Sequence, residues 1–138
     1  MRWLNVDAGE HDDEPAELWR LADIVNVACG GHAGDAASMA RVIAAVAGSA
    51  TRIGAHPSYP DREGFGRRAF VGDDAVVAAA VAGQCDALVA LAGSVTAIKP
   101  HGRLYWDCAT SAARADAVAS VAARLGAAII GPPRGALR

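Results

Sequence analysis

Aromatic residues are only 5% of this chain, so a core built on large rings is excluded and small side chains must fill the interior. Cysteine is as scarce. Cys29, Cys85 and Cys108 form an odd, widely spaced set with no C-x-x-C, which argues against a disulfide framework and makes a reducing cytoplasm the expected setting. Charge of one sign never accumulates: 13 Lys and Arg face 15 Asp and Glu, for a net charge of -2, so the electrostatic footprint for nucleic acid is absent. No uninterrupted run of 18 apolar residues occurs, and no membrane-spanning helix is expected. The opening Met1-Arg2-Trp3-Leu4-Asn5-Val6-Asp7 meets an acid too early for a secretory signal. Gly64-Phe65-Gly66 fits neither a G-x-G-x-x-G nor a P-loop pattern, so nothing here points to nucleotide binding.

What is abundant is alanine, 34 residues of 138, within a composition that is 53% hydrophobic and 20% charged. This is globular chemistry, and the length suits one domain over 1–138. Short apolar runs suited to buried parallel strands cover Trp3–Val6, Ile24–Ala28, Thr51–Ala55, Val95–Ile98 and Ala127–Ile130. Between them, helices are expected over Glu14–Leu21, Asp35–Ala47, Asp73 or Asp74 to Leu91, and Ser111–Leu125. The last three end at Gly48, Gly93 and Gly126. Alternation of this kind predicts an α/β fold with a parallel (β/α) repeat and right-handed crossovers. His56–Phe70, with two prolines, two glycines and five charges, is expected to be a long functional loop.

The polar residues gather where the expected strands end. Asp7 and Glu10 follow the first, Asn26 and His32 the second, His56 the third, and Lys99 and His101 the fourth. In parallel βα folds that edge binds ligands and carries catalysis. Asp7, His32, His56, Lys99 and His101 are therefore the candidate catalytic set. Two readings stay open. The groups form a metal-free acid–base site, or Asp7, His32, His56 and His101 ligate a divalent metal. Gly30, beside Gly31 and His32, would let backbone approach a ligand. Asp35 either caps the next helix or faces the site. Arg67 and Arg68 offer an anchor for an anion or are surface charges. Lys99, after the apolar Ala97-Ile98, would neutralise a carboxylate or a developing oxyanion. Cys29 is a nucleophile by position or inert packing, Cys85 and Cys108 read as packing, and His11 in an acidic loop reads as solvated.

Five blocks then carry a resemblance: Asn5-x-Asp7-x-Gly9-Glu10; Asn26-x-Ala28-Cys29-Gly30-x-His32-Ala33-Gly34-Asp35; Ile53-Gly54-Ala55-His56-Pro57-x-Tyr59-Pro60-Asp61; Gly64-Phe65-Gly66-Arg67-Arg68; and Lys99-Pro100-His101-Gly102-x-Leu104-Tyr105. In this order and spacing the chain resembles the LamB/YcsF family, the A subunits of bacterial ATP-dependent 5-oxoprolinase, once called lactam utilisation proteins. The resemblance implies a (β/α) barrel related to the polysaccharide deacetylase/glycoside hydrolase superfamily. It implies ring opening of 5-oxoproline to glutamate, with ATP used through separate B and C subunits. It also implies substrate-binding roles for Asn5, Glu10, Asn26, Gly30, Asp35, Arg67 and Tyr105. The alternatives are a metal-dependent deacetylase-like hydrolase of an amide or carbohydrate, or a non-catalytic binding subunit. Trp3, Arg103 and Trp106 depart from the family pattern. The chain holds about five expected strands, so an incomplete barrel is expected, its open edges covered in a homo-oligomer.

Overall fold

The computed structural model describes residues 3–137. Five parallel strands form one sheet: β1 (Asn5–Ala8), β2 (Ile24–Ala28), β3 (Arg52–His56), β4 (Ala97–Ile98) and β5 (Ala128–Ile129). The helices are α1 (Ala16–Leu21), α2 (Ala36–Val46), α3 (Asp74–Ala92), α4 (Gly102–Thr110) and α5 (Ala112–Leu125). Strand order is chain order, β1-β2-β3-β4-β5, without the reversal that marks a doubly wound sheet. This is the sequential winding of a (β/α) barrel wall, and it puts all the strand ends along one rim.

Alternation along each strand sorts the two faces. Val25, Val27, Ala55 and Ile98 are buried in the apolar core beneath the helices. Asn5, Asp7, Asn26 and His56 meet one another on the opposite face, with Asp7 in register with Asn26 and Ala28 with His56. Helix α2 starts at a capping box: the Asp35 carboxylate accepts from Ser38 N–H, and the Ser38 hydroxyl accepts from Asp35 N–H. It buries Met39, Val42 and Val46 at helical spacing. Helix α5 starts at Ser111, whose hydroxyl accepts from Arg114 N–H, and stops at Gly126 in the left-handed conformation.

Helix α3 is long and apolar enough to cross a membrane by length and composition. Here Val77, Val81, Cys85 and Leu88 form its buried stripe, against α2, α5 and β3. A cleft of about 490 Å³ between α3 and α5 is alanine-lined, lies away from the strand ends and contains no histidine.

Two expectations need correction. Strand β1 runs from Asn5 to Ala8 rather than from Trp3 to Val6. The ladder starts where Asn5 pairs with Ile24, and Trp3 stays outside it, half exposed, beneath the Arg52 guanidinium at 4.2 Å. Helix α4 was not expected at all, because Gly102 to Thr110 has no side-chain cap and contains Tyr105 and Trp106. Burial of Leu104 and Cys108, one turn apart, holds it in place. The loop expectation stands: no helix or strand falls between β3 and α3. That loop folds back on α4, with Arg103 N–H donating to the Gly66 carbonyl at 2.9 Å. Gly102 has φ +59°, and an added Cβ would sit 2.6 Å from the Gly66 carbonyl oxygen, so the contact requires glycine.

Candidate active site

Asp7 comes from β1, Glu10 from the turn after it, His32 from the loop after β2, His56 from the end of β3, and Lys99 and His101 from the segment between β4 and α4. The structure brings all six together. His32, His56 and His101 are buried, and Glu10 is largely so. Around Glu10 Oε1 stand His32 Nε2 at 2.7 Å, His101 Nδ1 at 3.2 Å and His56 Nε2 at 3.6 Å. The His32 and His101 rings stack with centroids 3.5 Å apart, and His56 meets both edge-on. Phe65 closes over His32 and His101 at about 5 Å.

The ring orientations are fixed from behind. His56 Nδ1 lies 2.6 Å from the Lys99 carbonyl, and His101 Nε2 lies 2.9 Å from the Phe65 carbonyl. A carbonyl only accepts, so each of those nitrogens carries the hydrogen. The nitrogens turned inward, His56 Nε2 and His101 Nδ1, are 3.0 Å apart.

Asp7 belongs to a second group. Lys99 Nζ donates to its Oδ1 at 2.8 Å, and His56 Nε2 lies 3.4 Å from its Oδ2. Burial alone would raise the Asp7 carboxyl, but His56 and Lys99 outweigh it and hold the group well below the usual carboxylate range. Glu10 follows the same rule: burial opposes ionisation, and the neighbouring imidazoles of His101 and His32 overcome it. Burial pushes His32 down to about 4, against the Glu10 hydrogen bond, so at neutral pH His32 gives Glu10 a hydrogen bond rather than a charge. His32 Nδ1 is buried without a partner.

These groups form a wall between two clefts. On one side, about 410 Å³ is lined by Asp7, His56, Arg67, Lys99, His101 and Tyr105, among others. On the other, about 380 Å³ is lined by Glu10, His32, Asp35, Ser38, Arg62 and Phe65, among others.

Several expected binders take other places. Asn26 is fully buried, and its amide donates to Asn5 Oδ1 at 2.9 Å and Asp7 Oδ1 at 3.1 Å. Asn5 itself lines a groove at the opposite strand ends and accepts from the Asn26 amide, so Asn26 holds Asp7 and Asn5 holds Asn26. Gly30 is exposed, and an added Cβ there would meet nothing. Close approach falls instead at Gly31, where a Cβ would collide with Gln84 and Ser58. Asp35 caps α2 from the edge of the second cleft. Of the two arginines, Arg67 faces the first cleft, while Arg68 is tied to Asp61 and Glu63. The ligand-type cluster contains Glu10 where Asp7 was expected, because β1 carries Asp7 toward Lys99 while the following turn swings Glu10 over the rings. Cys29 is buried, and burial pushes its thiol well up, which leaves it inert as a nucleophile.

Sequence reasoning missed the residue that places Glu10. The Glu14 carboxylate accepts from three successive backbone N–H groups, Gly9 at 2.8 Å, Glu10 at 2.7 Å and His11 at 2.8 Å. Its signal was an acid shortly after a glycine turn, which an expected helix start at Glu14 concealed. Chemically, the rim offers two ionised carboxylates, one ammonium and three imidazoles, which suits proton transfer, stabilisation of negative charge and cation binding.

The LamB/YcsF family pattern matches residues 4–136. Among solved structures, the crystal structure of a lactam utilization protein from Thermus thermophilus is similar, with a TM-score of 0.88 and 30% sequence identity. The match covers 95% of this chain and 57% of that one, so this chain spans little more than half the length of that protein. With a five-strand sequential sheet, a polar rim at its strand ends and a family match over nearly all of its length, the chain belongs to the LamB/YcsF family.

Proposed function

We propose that this chain acts as the A-type component of a 5-oxoprolinase, opening the lactam ring of 5-oxoproline to glutamate. Water adds to the ring carbonyl carbon, the C–N bond breaks, and the freed nitrogen takes a proton. An amide carbonyl resists water, so the reading gives ATP-driven activation to separate B and C subunits. The observation that carries it is the cleft where Asp7, Lys99, Arg67 and Tyr105 meet the histidine wall. Arg67, which lines this cleft, would take the substrate carboxylate by a bidentate contact. Lys99 and the wall supply positive potential to the developing oxyanion, and Asp7, held by Asn26, orients the water.

The test is glutamate release from 5-oxoproline and ATP by the chain mixed with candidate B and C subunits, beside His56→Ala and Lys99→Ala. Release by the wild type, lost in both variants, is expected. Equal inactivity of all three in a mixture that turns over with an authentic A-type component overturns the reading.

A further inference from the structure

We propose that Glu10, His32, His56 and His101 form a site for one first-row divalent transition cation, with Asp7 outside it. The starting point is a charge problem. His56 Nδ1 and His101 Nε2 give their hydrogens to the Lys99 and Phe65 carbonyls, so in the neutral rings His56 Nε2 and His101 Nδ1 are lone pairs. They face each other at 3.0 Å. Around the same point stand Glu10 Oε1, 3.2 Å and 3.6 Å from them, and Asp7 Oδ2, 3.4 Å from His56. Four acceptor atoms meet in a buried place with no donor between the two rings. Such an arrangement is repulsive until something positive enters it.

The spacing suits a metal ion. Ligand atoms about 2.0–2.1 Å from a tetrahedral centre lie roughly 3.3 Å from one another. The nitrogens and Glu10 Oε1 are separated by 2.7, 3.0, 3.2 and 3.6 Å in the four contacts that bind the group, and all four ligand atoms lie within 4.8 Å of one another. The backing is also that of a metal site. A ligating histidine ordinarily donates its other N–H to a carbonyl or carboxylate, and here two of three do so to main-chain oxygens that cannot rotate away. Glu14 clamps the backbone of the Gly9–His11 turn that delivers the carboxylate. Three imidazoles and one carboxylate favour zinc and its neighbours in the first row over magnesium or calcium, which prefer all-oxygen shells. A shared proton would separate His56 from His101, but one of those two nitrogens would still face Glu10 Oε1 without a hydrogen; a cation would displace both that proton and the hydrogen that His32 Nε2 gives to Glu10.

The experiment uses the full chain, stripped with a chelator and then loaded with zinc alone. Bound metal is counted by plasma mass spectrometry, and affinity is read by competition with a chromophoric chelator. One equivalent per chain is expected for the wild type and for Asp7→Asn. His56→Ala, His101→Ala and Glu10→Gln are expected to bind at least about 100-fold more weakly, with folding of each checked by circular dichroism. Two results overturn the proposal: a wild type that takes up no stoichiometric zinc, as a shared proton requires, or an His56→Ala/His101→Ala double variant that keeps its equivalent. Because the readout is metal content, failure here leaves the lactam assay untouched, and inactivity there leaves this result untouched.

Discussion

The two ends of the same five strands differ as sharply as two parts of one sheet can. At the carboxyl ends, six titratable side chains share one rim, three of them buried histidines, and every one has a charged or hydrogen-bonding partner. At the amino ends, a groove of about 390 Å³ is lined by Trp3, Asn5, Ile24, Arg52, Thr96, Ala128 and Ile130, where the single charge sits over an indole. Backbone geometry is the same at both ends. The carboxyl rim differs because the loops leaving it are long and polar, above all the segment between β3 and α3, whereas the amino rim receives short returns from the helices. The titratable side chains converge on one rim because only there do several loops lean over one point.

Breaking the active rim at its most connected member should have the largest effect. His56→Ala removes the ring that touches His101, Glu10 and Asp7, and leaves the Lys99 carbonyl without its donor. Glutamate release should fall by about 10²–10⁴-fold. Stability should fall by about 2 kcal/mol, because buried acceptors lose their partner. Steady-state turnover and urea unfolding measure the two. An activity within twofold of wild type would remove His56 from the machinery.

Lys99→Met separates charge from packing. It keeps the stem and removes the ammonium that pairs with Asp7 at 2.8 Å. Turnover should drop by about 10²-fold, as loss of one preorganised donor does, with zinc stoichiometry unchanged. Loss of zinc in this variant would mean that Asp7 and the histidine cluster are one unit rather than two.

Much of this rim was readable from the chain. His32, His56, Lys99 and His101 follow apolar runs too short for helices, and in a parallel sheet a residue just past a strand has few places to go. Strand β2 and the start of α3 lie where the apolar pattern puts them, because Ile24–Ala28 is buried on both faces and Asp73-Asp74 precedes a long alanine-rich stretch. Two kinds of information were not local. Strand β1 is displaced because the Asn5–Asn26 side-chain bond and the register with Ile24 decide where pairing begins, and neither is visible within Trp3–Val6. The exchange of Glu10 for Asp7 among the candidate ligands depends on a turn shaped by Glu14 from the far side. Helix α4 is stabilised by where Leu104 and Cys108 are buried, a tertiary effect that overrides weak local propensity.

Glu14 itself gives an intermediate effect. Glu14→Ala releases three backbone N–H groups while leaving every proposed ligand in the chain. Stability should fall by about 2 kcal/mol, and turnover and zinc affinity should each fall by about 10-fold, as loss of an outer-shell support does. Glu14→Gln, which keeps an acceptor oxygen, should recover part of both. Equal damage from the two variants would argue that the negative charge, rather than the hydrogen bonds, shapes the turn.

The smallest effect belongs to the amino rim, and it completes the contrast. Trp3→Ala removes a half-exposed ring whose contact of note is the Arg52 guanidinium, 4.2 Å from its centroid. A cation–π contact at such an open site contributes about 0.5–1 kcal/mol, so the urea midpoint should move only slightly. The path from Trp3 to the candidate site runs through Asn5, Asn26 and Asp7, but those hydrogen bonds join Asn26 to Asn5 and Asp7 and neither involves Trp3. Turnover and zinc affinity should therefore stay within about twofold of wild type. If Trp3→Ala instead weakened either by tenfold or more, the two rims would be coupled along that asparagine ladder, and the confinement of chemistry to one end of the sheet would fail as a description of this protein.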